Sequence, residues 1–400
     1  MKLTTPIDIP VSPWHIGYED HILLLGSCFA DEMAKQMQER YLSVVSNPFG
    51  TLYNPLSIAN AINLPMGVKS EIGNSKSQIT SLPYTGEELC SIERPVDVCR
   101  TSSGVGFPIF NYNGLYHSMY HHGSFSRPTR EETEQAVLAS IEAMQKALNE
   151  ASVIIVTFGT AWVYEMVNGT PEMVNGTCPN GKSEMVHGTC PNSTWIVANC
   201  HKLPDSYFTR RRLTVEEIVA AWEPIIARYP DKHWLFTVSP IRHIKDGLHE
   251  NQLSKATLLM AIDQLTNTQS QIGNTQSQIA QRATNNKSQI TSLPSRWRIA
   301  SAWQSERPEQ RGASLQPERS GVGSYFPSYE LLLDELRDYR FYAEDLVHPS
   351  ATAVKYIWER FVQTFCTPQT QNELILKHKQ WKATQHRPLH AYDGIRENDQ

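Results

Sequence analysis

His21-Ile22-Leu23-Leu24-Leu25-Gly26-Ser27-Cys28-Phe29-Ala30-Asp31-Glu32 is the stretch on which the fold hinges. Ile22 to Leu25 are four consecutive apolar residues, the pattern of a short strand buried on both faces, and Phe29 towards Arg40 carries helix-forming side chains. Gly26-Ser27-Cys28 is therefore a strand-to-helix turn. Such a turn sets its residues beside unpaired backbone N–H groups at the positive end of the helix dipole, where an anion or a thiolate is stabilised. A cysteine at a helix start can have its pKa lowered from roughly 8.5 into the range of about 3.5 to 7.5. Cys28 is the first candidate nucleophile. Asp31 and Glu32 in the first turn favour the helix but oppose a thiolate.

Outward from this turn the chain repeats the pattern. Val44 to Asn47 reads as a second strand, and Pro48-Phe49-Gly50-Thr51 turns it towards a helix beginning near Pro55. Ser152 to Phe158 is a β-branched strand ending in Gly159-Thr160-Ala161-Trp162, and His233 to Val238 another ending in Ser239-Pro240-Ile241-Arg242-His243. A further strand should precede Tyr329, with Arg296 to Trp303 and Val322 to Phe326 both weak candidates. Helices are expected after Thr129, with Glu132 as its capping-box partner, and after Thr214, with Glu217 in that role. Others should cover Asn251 to Leu265, Tyr329 to Leu336 and Ala351 to Phe365. The alternation predicts an α/β fold: one three-layer α/β/α domain over residues 1–366, a mostly parallel sheet of about five strands, and a C-terminal extension over 367–400. Ligands of such sheets bind outside the carboxyl ends of the strands, so Gly26, Gly50 and their neighbours line one crevice.

Three segments break the pattern and read as irregular excursions: 66–107, 166–194 and 266–321. The second repeats Glu-Met-Val-Asn-Gly-Thr at 165 and 172, and the third repeats Asn-Thr-Gln-Ser-Gln-Ile at 267 and 274. These copies are too few and too polar to stack as a solenoid, so loops are expected there.

Composition narrows the function classes. A formal net charge of -5, from 36 basic and 41 acidic side chains, gives no global field for nucleic acid or an anionic membrane, so a small-molecule substrate is the better expectation. Met1 to Pro10 has no apolar signal region, and no stretch approaches the roughly 18 apolar residues of a membrane span. A cytoplasmic protein is expected. Seven scattered cysteines without a C-x-x-C pair signal neither a disulfide framework nor zinc. His117, His121 and His122 stand close together but lack further ligands at metal spacing, so they read as structural or substrate-loop residues and no metal or cofactor is expected. Arg210-Arg211-Arg212 either bind an anion or form a solvated charge run.

Asp345 and His348 lie three residues apart in the loop before the last core helix. A histidine base needs its second ring nitrogen held by a carboxylate or carbonyl, and a local Asp supplies one.

Gly26-Ser27-Cys28-Phe29-Ala30 is the motif of the GSCFA family. The chain resembles that family over blocks near 1–64, 110–166, 195–265 and 325–390, with Phe49-Gly50-Thr51, Phe158 to Trp162, Ser239-Pro240, Arg242-His243 and Asp345-x-x-His348 as supporting motifs. The family looks like a branch of the SGNH (GDSL-like) hydrolases, which implies a flavodoxin-like sheet. Laid on the SGNH pattern, Cys28 takes the place of the nucleophilic serine, Ser27 that of the usual aspartate, and Asp345 and His348 those of orienter and base. Gly50 matches the second-block glycine. Gly159-Thr160-Ala161 replaces Gly-x-Asn, so the side-chain oxyanion donor is lost or passes to Thr160. Asn54, Arg242 and His243 are carried over as substrate-binding candidates.

Two functions follow as expectations. One is an ester or thioester hydrolase, or an acyltransferase, acting on a small acylated substrate such as a carbohydrate through Cys28 or, in a shifted register, Ser27. In it the Cys28 N–H, Gly50, Gly159 and Thr160 stabilise the oxyanion. The other is a degenerate binding module for a carbohydrate or nucleotide-like ligand.

Overall fold

The computed structural model describes residues 5–67, 98–100, 106–166, 195–285 and 323–385. Strand β1 (His21–Gly26) runs into helix α1 (Cys28–Gln38), then come β2 (Ser43–Ser46) and α2 (Pro55–Gly67). Val98–Arg100 (β3), Gly106–Tyr112 (β4) and Leu115–Ser118 (β5) follow, and then α3 (Arg130–Glu150), β6 (Val153–Phe158) and β7 (Trp162–Met166). The chain continues through β8 (Trp195–Val197), β9 (Phe208–Arg212), α4 (Val215–Arg228), β10 (His233–Val238), α5 (Leu248–Asn285), β11 (Ser324–Phe326), α6 (Ala351–Phe365) and α7 (Pro368–Gln385).

The central sheet has the order β11-β10-β6-β1-β2, and every neighbouring pair in it is parallel. Numbered by appearance within this sheet, that is 5-4-3-1-2, the flavodoxin-like winding. Side chains alternate across it as the pleat requires. Ile22, Leu24, Val153, Ile155 and Leu235 face α1 and α6, while Leu23, Leu25, Ile154, Val156, Trp234 and Phe236 face α2 to α5. The molecule is therefore a three-layer α/β/α domain, and the double burial explains why these strands are apolar runs rather than alternating ones. Of the two candidates for the last strand, Val322 to Phe326 supplies it through Ser324–Phe326; Arg296 to Trp303 lies outside the described residues.

The caps expected at Thr129 and Thr214 are both present, the second as a complete capping box with Glu217. Helix α5 corrects the expected loop at 266–321: it continues through Asn285. No proline interrupts residues 248–285, so no ring breaks the helix at Leu265. Most of the other two excursions lies outside the described residues. The hairpin β4–β5 turns through Asn113-Gly114, both with positive φ (53° and 76°), as a two-residue hairpin turn of matching twist requires. Within the expected C-terminal extension, α7 packs Leu374 into the core on the α1 and α6 side. No helix among the described residues is long and apolar enough to cross a membrane.

Gly26 closes β1 at φ +131°, and a Cβ there would meet the Thr157 carbonyl oxygen at 2.1 Å. Backbone strain and a clash with the neighbouring strand combine, so Gly26→Ala should destabilise the fold by about 3 kcal/mol or more. Urea denaturation measures this; a loss under about 1 kcal/mol would contradict the requirement for glycine.

Candidate active site

The site lies at the carboxyl end of β1, where the chain order reverses between β1 and β6. This is the topological switch point at which open α/β sheets bind ligands. The β1–α1 turn is held from two sides. Ser27 N–H donates to Thr157 O on β6 (3.2 Å), and Gly26 N–H donates to Asn47 Oδ1 beyond β2 (2.8 Å). The Asn47 side chain in turn donates to Asp31 Oδ1 (2.8 Å), and Ser46 and Thr51 hydroxyls also reach the Asp31 carboxylate. Asp31 thus anchors the second loop to the first turn of α1.

That second loop then crosses over the strand ends. Leu52 N–H donates to Gly26 O (3.0 Å), and the Tyr53 carbonyl accepts from Gly159 N–H (2.8 Å) and Thr160 N–H (3.0 Å). Tyr53 and Cys28 influence each other's titration: Tyr53 favours the thiolate, and burial first, then the sulfur, pushes the Tyr53 pKa up to about 12. On the far side, buried Lys255 of α5 donates to Gly159 O and Ser239 O, both at 2.7 Å, tying the ends of β6 and β10 together. Arg242 N–H donates to Val347 O (3.3 Å), which joins the end of β10 to the loop carrying Asp345 and His348.

That loop is self-supporting. Asp345 Oδ1 accepts from the N–H groups of Val347 (2.9 Å) and His348 (3.0 Å), while Oδ2 lies 2.6 Å from His348 Nδ1. These bonds, the two backbone ones first, lower the Asp345 pKa to about 2, so the carboxylate stays ionised. With Nδ1–H donated to Asp345, Nε2 is left as an acceptor. Cys28 Sγ stands 3.9 Å from it, the loose contact common in unliganded sites.

The sequence residues thus divide. Cys28, His348 and Asp345 come together. Ser27 is 1% exposed, and its hydroxyl has no partner among the described residues. Three of the expected oxyanion donors are engaged elsewhere: Gly50 N–H bonds Asn47 O (2.7 Å), Gly159 and Thr160 N–H bond Tyr53, and the Thr160 hydroxyl lies 3.1 Å from Ser254 Oγ and accepts from Trp162 N–H. Asn54 is buried as the cap of α2, bonded twice to Ser57, rather than free for substrate. Arg242 stacks on Tyr342, 4.0 Å from its ring centroid. His243 sits beside the Tyr53 ring; burial first, then the charges of Lys255 and His348, hold its pKa down to about 4.

The expectation of a lowered Cys28 pKa is corrected. Burial is the largest influence and raises it above the ordinary value, with Asp31 and Glu32 acting the same way, against the smaller pull of the Cys28 N–H and the Tyr53 hydroxyl. The resting residue is a thiol.

Residues flagged elsewhere have structural partners. His121 is fully buried between Ser118 and Ser140, each 2.8 Å away, and stacks on Phe49. His117 bonds Ser126 and the Tyr112 carbonyl. Among the described residues no group of His, Cys, Asp and Glu could hold a metal ion. The arginine run forms β9 and is paired: Arg210 with Asp246, Arg211 with Glu165 and Glu217, Arg212 with Glu250.

A family model, that of the GSCFA family, matches residues 21–81, 101–187, 189–273 and 314–361. The chain belongs to the GSCFA family. No curated protein and no solved structure was found to match it. The GSCFA match spans both halves of the site, from the Cys28 turn to the His348 loop. Tyr53, Asn47 and Lys255 are the site residues that the sequence motifs did not reveal. Tyr53 lies two residues past Phe49-Gly50-Thr51, and a lysine amid the apolar residues of a helix was the available sign for Lys255.

Proposed function

We propose that this GSCFA protein is an acyl-group enzyme, an ester or thioester hydrolase or an acyltransferase, in which Cys28 is the nucleophile, His348 the base and Asp345 its orienter. The observation carrying this is the continuous contact from Cys28 Sγ to His348 Nε2 (3.9 Å) and from His348 Nδ1 to Asp345 (2.6 Å). Because the thiol is raised rather than lowered, Cys28 acts as serine does in such triads: it loses its proton to the histidine as it attacks. The flavodoxin-like order and the Asp-x-x-His loop support a place among SGNH-like hydrolases. Free Cys28, Cys200 and Cys366 fit a reducing, cytoplasmic setting. Asp345 and His348 are exposed, so water or a bulky acceptor can reach the acyl-enzyme.

The engaged amides of Gly50, Gly159 and Thr160 are what favour the second reading, a binding module for a carbohydrate or nucleotide-like ligand. The wild-type protein, offered a panel of activated esters and thioesters, should turn over at least one and show a mass increase on Cys28 that matches the acyl group. A folded protein that neither turns over nor acylates on any of the panel, yet binds a ligand that shields Cys28 from iodoacetamide, is the binding module instead.

A further inference from the structure

The first turns of α5 carry three buried polar side chains, Asn251, Ser254 and Lys255, at the i, i+3, i+4 spacing that puts them on one helix face. Polar groups at that depth are costly unless they are bonded, and each of these finds its partner at the carboxyl end of β6 or β10. Asn251 Oδ1 accepts from His243 N–H (3.0 Å), Ser254 Oγ accepts from Ala161 N–H (2.8 Å), and Lys255 Nζ donates to Gly159 O and Ser239 O (both 2.7 Å). Lys255 alone of the three touches both strands. It is 1% exposed, and its hydrogen-bond acceptors among the described residues are those two carbonyls rather than a carboxylate. The β6–β10 ladder ends with Phe158 opposite Val238, so Lys255 bridges the residues immediately beyond the last pair. Each bridged residue leads to one half of the site. Gly159 N–H donates to Tyr53 O, and Leu52 N–H beside it donates to Gly26 O at the Cys28 turn. Ser239 leads to Arg242, whose N–H donates to Val347 O next to His348.

Resting on the acyl-transfer reading, we propose that Lys255 is a positioning residue: by bridging the Gly159 and Ser239 carbonyls it sets the gap between the Cys28 turn and the His348 loop. Sγ and Nε2 stand 3.9 Å apart, already a loose contact, so a small splaying of the two strand ends takes the base out of reach of the thiol proton. Lys255 itself neither gives nor takes a proton in the reaction. Burial pushes its pKa down to about 7, but ammonium and amine both have the two N–H donors that the two carbonyls need, so the bridge persists in either state.

The test is Lys255→Met, which keeps most of the stem and removes both donors. Turnover of an activated thioester should fall about 10²-fold in kcat, with KM within about threefold, the cost of misplacing a reacting group by roughly 1 Å. In a His348→Ala background the same substitution should cost less than about threefold, because there is no base left to misplace. Alkylation of Cys28 by iodoacetamide above the thiol's inflection, which needs no base, should also stay within about threefold. Should Lys255→Met not fold, Lys255→Arg carries the same cycle: its longer head still donates but pushes the carbonyls apart, and should lower kcat more than about tenfold only where His348 is present. If wild type turns over but the folded variant keeps more than a tenth of its kcat, Lys255 does not position the base, although the acyl-enzyme reading stands. Equal losses with and without His348, or in turnover and alkylation alike, would assign Lys255 to the fold as a whole and overturn the proposal. A wild type inert on every acyl substrate removes both.

Discussion

His348→Ala lowers kcat/KM for an activated thioester by about 10³- to 10⁴-fold at pH 7, and Cys28→Ala removes turnover altogether. The size of the first effect follows from the state of the thiol. Burial, reinforced by Asp31 and Glu32, keeps Cys28 protonated at neutral pH, so the attack needs a proton acceptor at the moment it occurs. His348 Nε2 is the one basic group in contact with the sulfur among the described residues. The sign of the pH dependence is diagnostic. In His348→Ala the residual rate should climb as pH rises above the ordinary cysteine value, because only then does the thiol ionise unaided. The double variant should be no worse than Cys28→Ala alone, as expected of groups acting as a unit. Retention of more than a tenth of the wild-type kcat/KM in His348→Ala would separate His348 from the chemistry.

Acid should weaken the fold steeply between pH 7 and pH 5. Burial, the largest cause for each, holds the pKa of His121 down to about 3 and those of His201 and His243 to about 4. An unfolded histidine titrates near 6.5, so below that pH the unfolded chain takes up protons that the folded chain does not, and stability falls until the folded values are reached. At pH 5 the cost is about 2 kcal/mol per histidine, on the order of half the stability of an ordinary domain for the three together. Urea titrations at the two pH values measure it. His121→Gln keeps groups able to bond Ser118 and Ser140 without a titrating ring, and should flatten the slope by about a third. A pH-independent midpoint would show that these rings charge freely in the fold.

The parts legible in the sequence are those that local chemistry dictates. Ile22 to Leu25 and Val153 to Val156 are apolar because both faces of their strands are covered. Asp345 and His348 could be read as a pair because three residues of chain suffice to bring them together. What escaped depends on distant partners. Nothing near Arg210 to Arg212 announces the carboxylates of Glu165, Asp246 and Glu250; only Glu217 is close in sequence, and there it reads as the cap of Thr214. Tyr53 acquires its place only when the loop after β2 is laid over β1 and bonded to β6. The thiol pKa was misread for a related reason: the helix dipole is visible in a sequence, whereas the burial that outweighs it is not. Asn113-Gly114 is a different case, a local hairpin signal standing just after the 66–107 excursion.

The contact between Cys28 and His348 joins residues 320 positions apart. Contacts of such separation carry a large loop-closure cost and form late relative to local helices and turns. Cys28 and its helix can therefore be in place while the base is still absent, and the same thiol reports two stages of folding: its burial as β1 pairs with β6, and its activation when the His348 loop docks. Fragments ending before β11 keep the cysteine without its base, so they should react with alkylating agents while remaining inert towards acyl substrates.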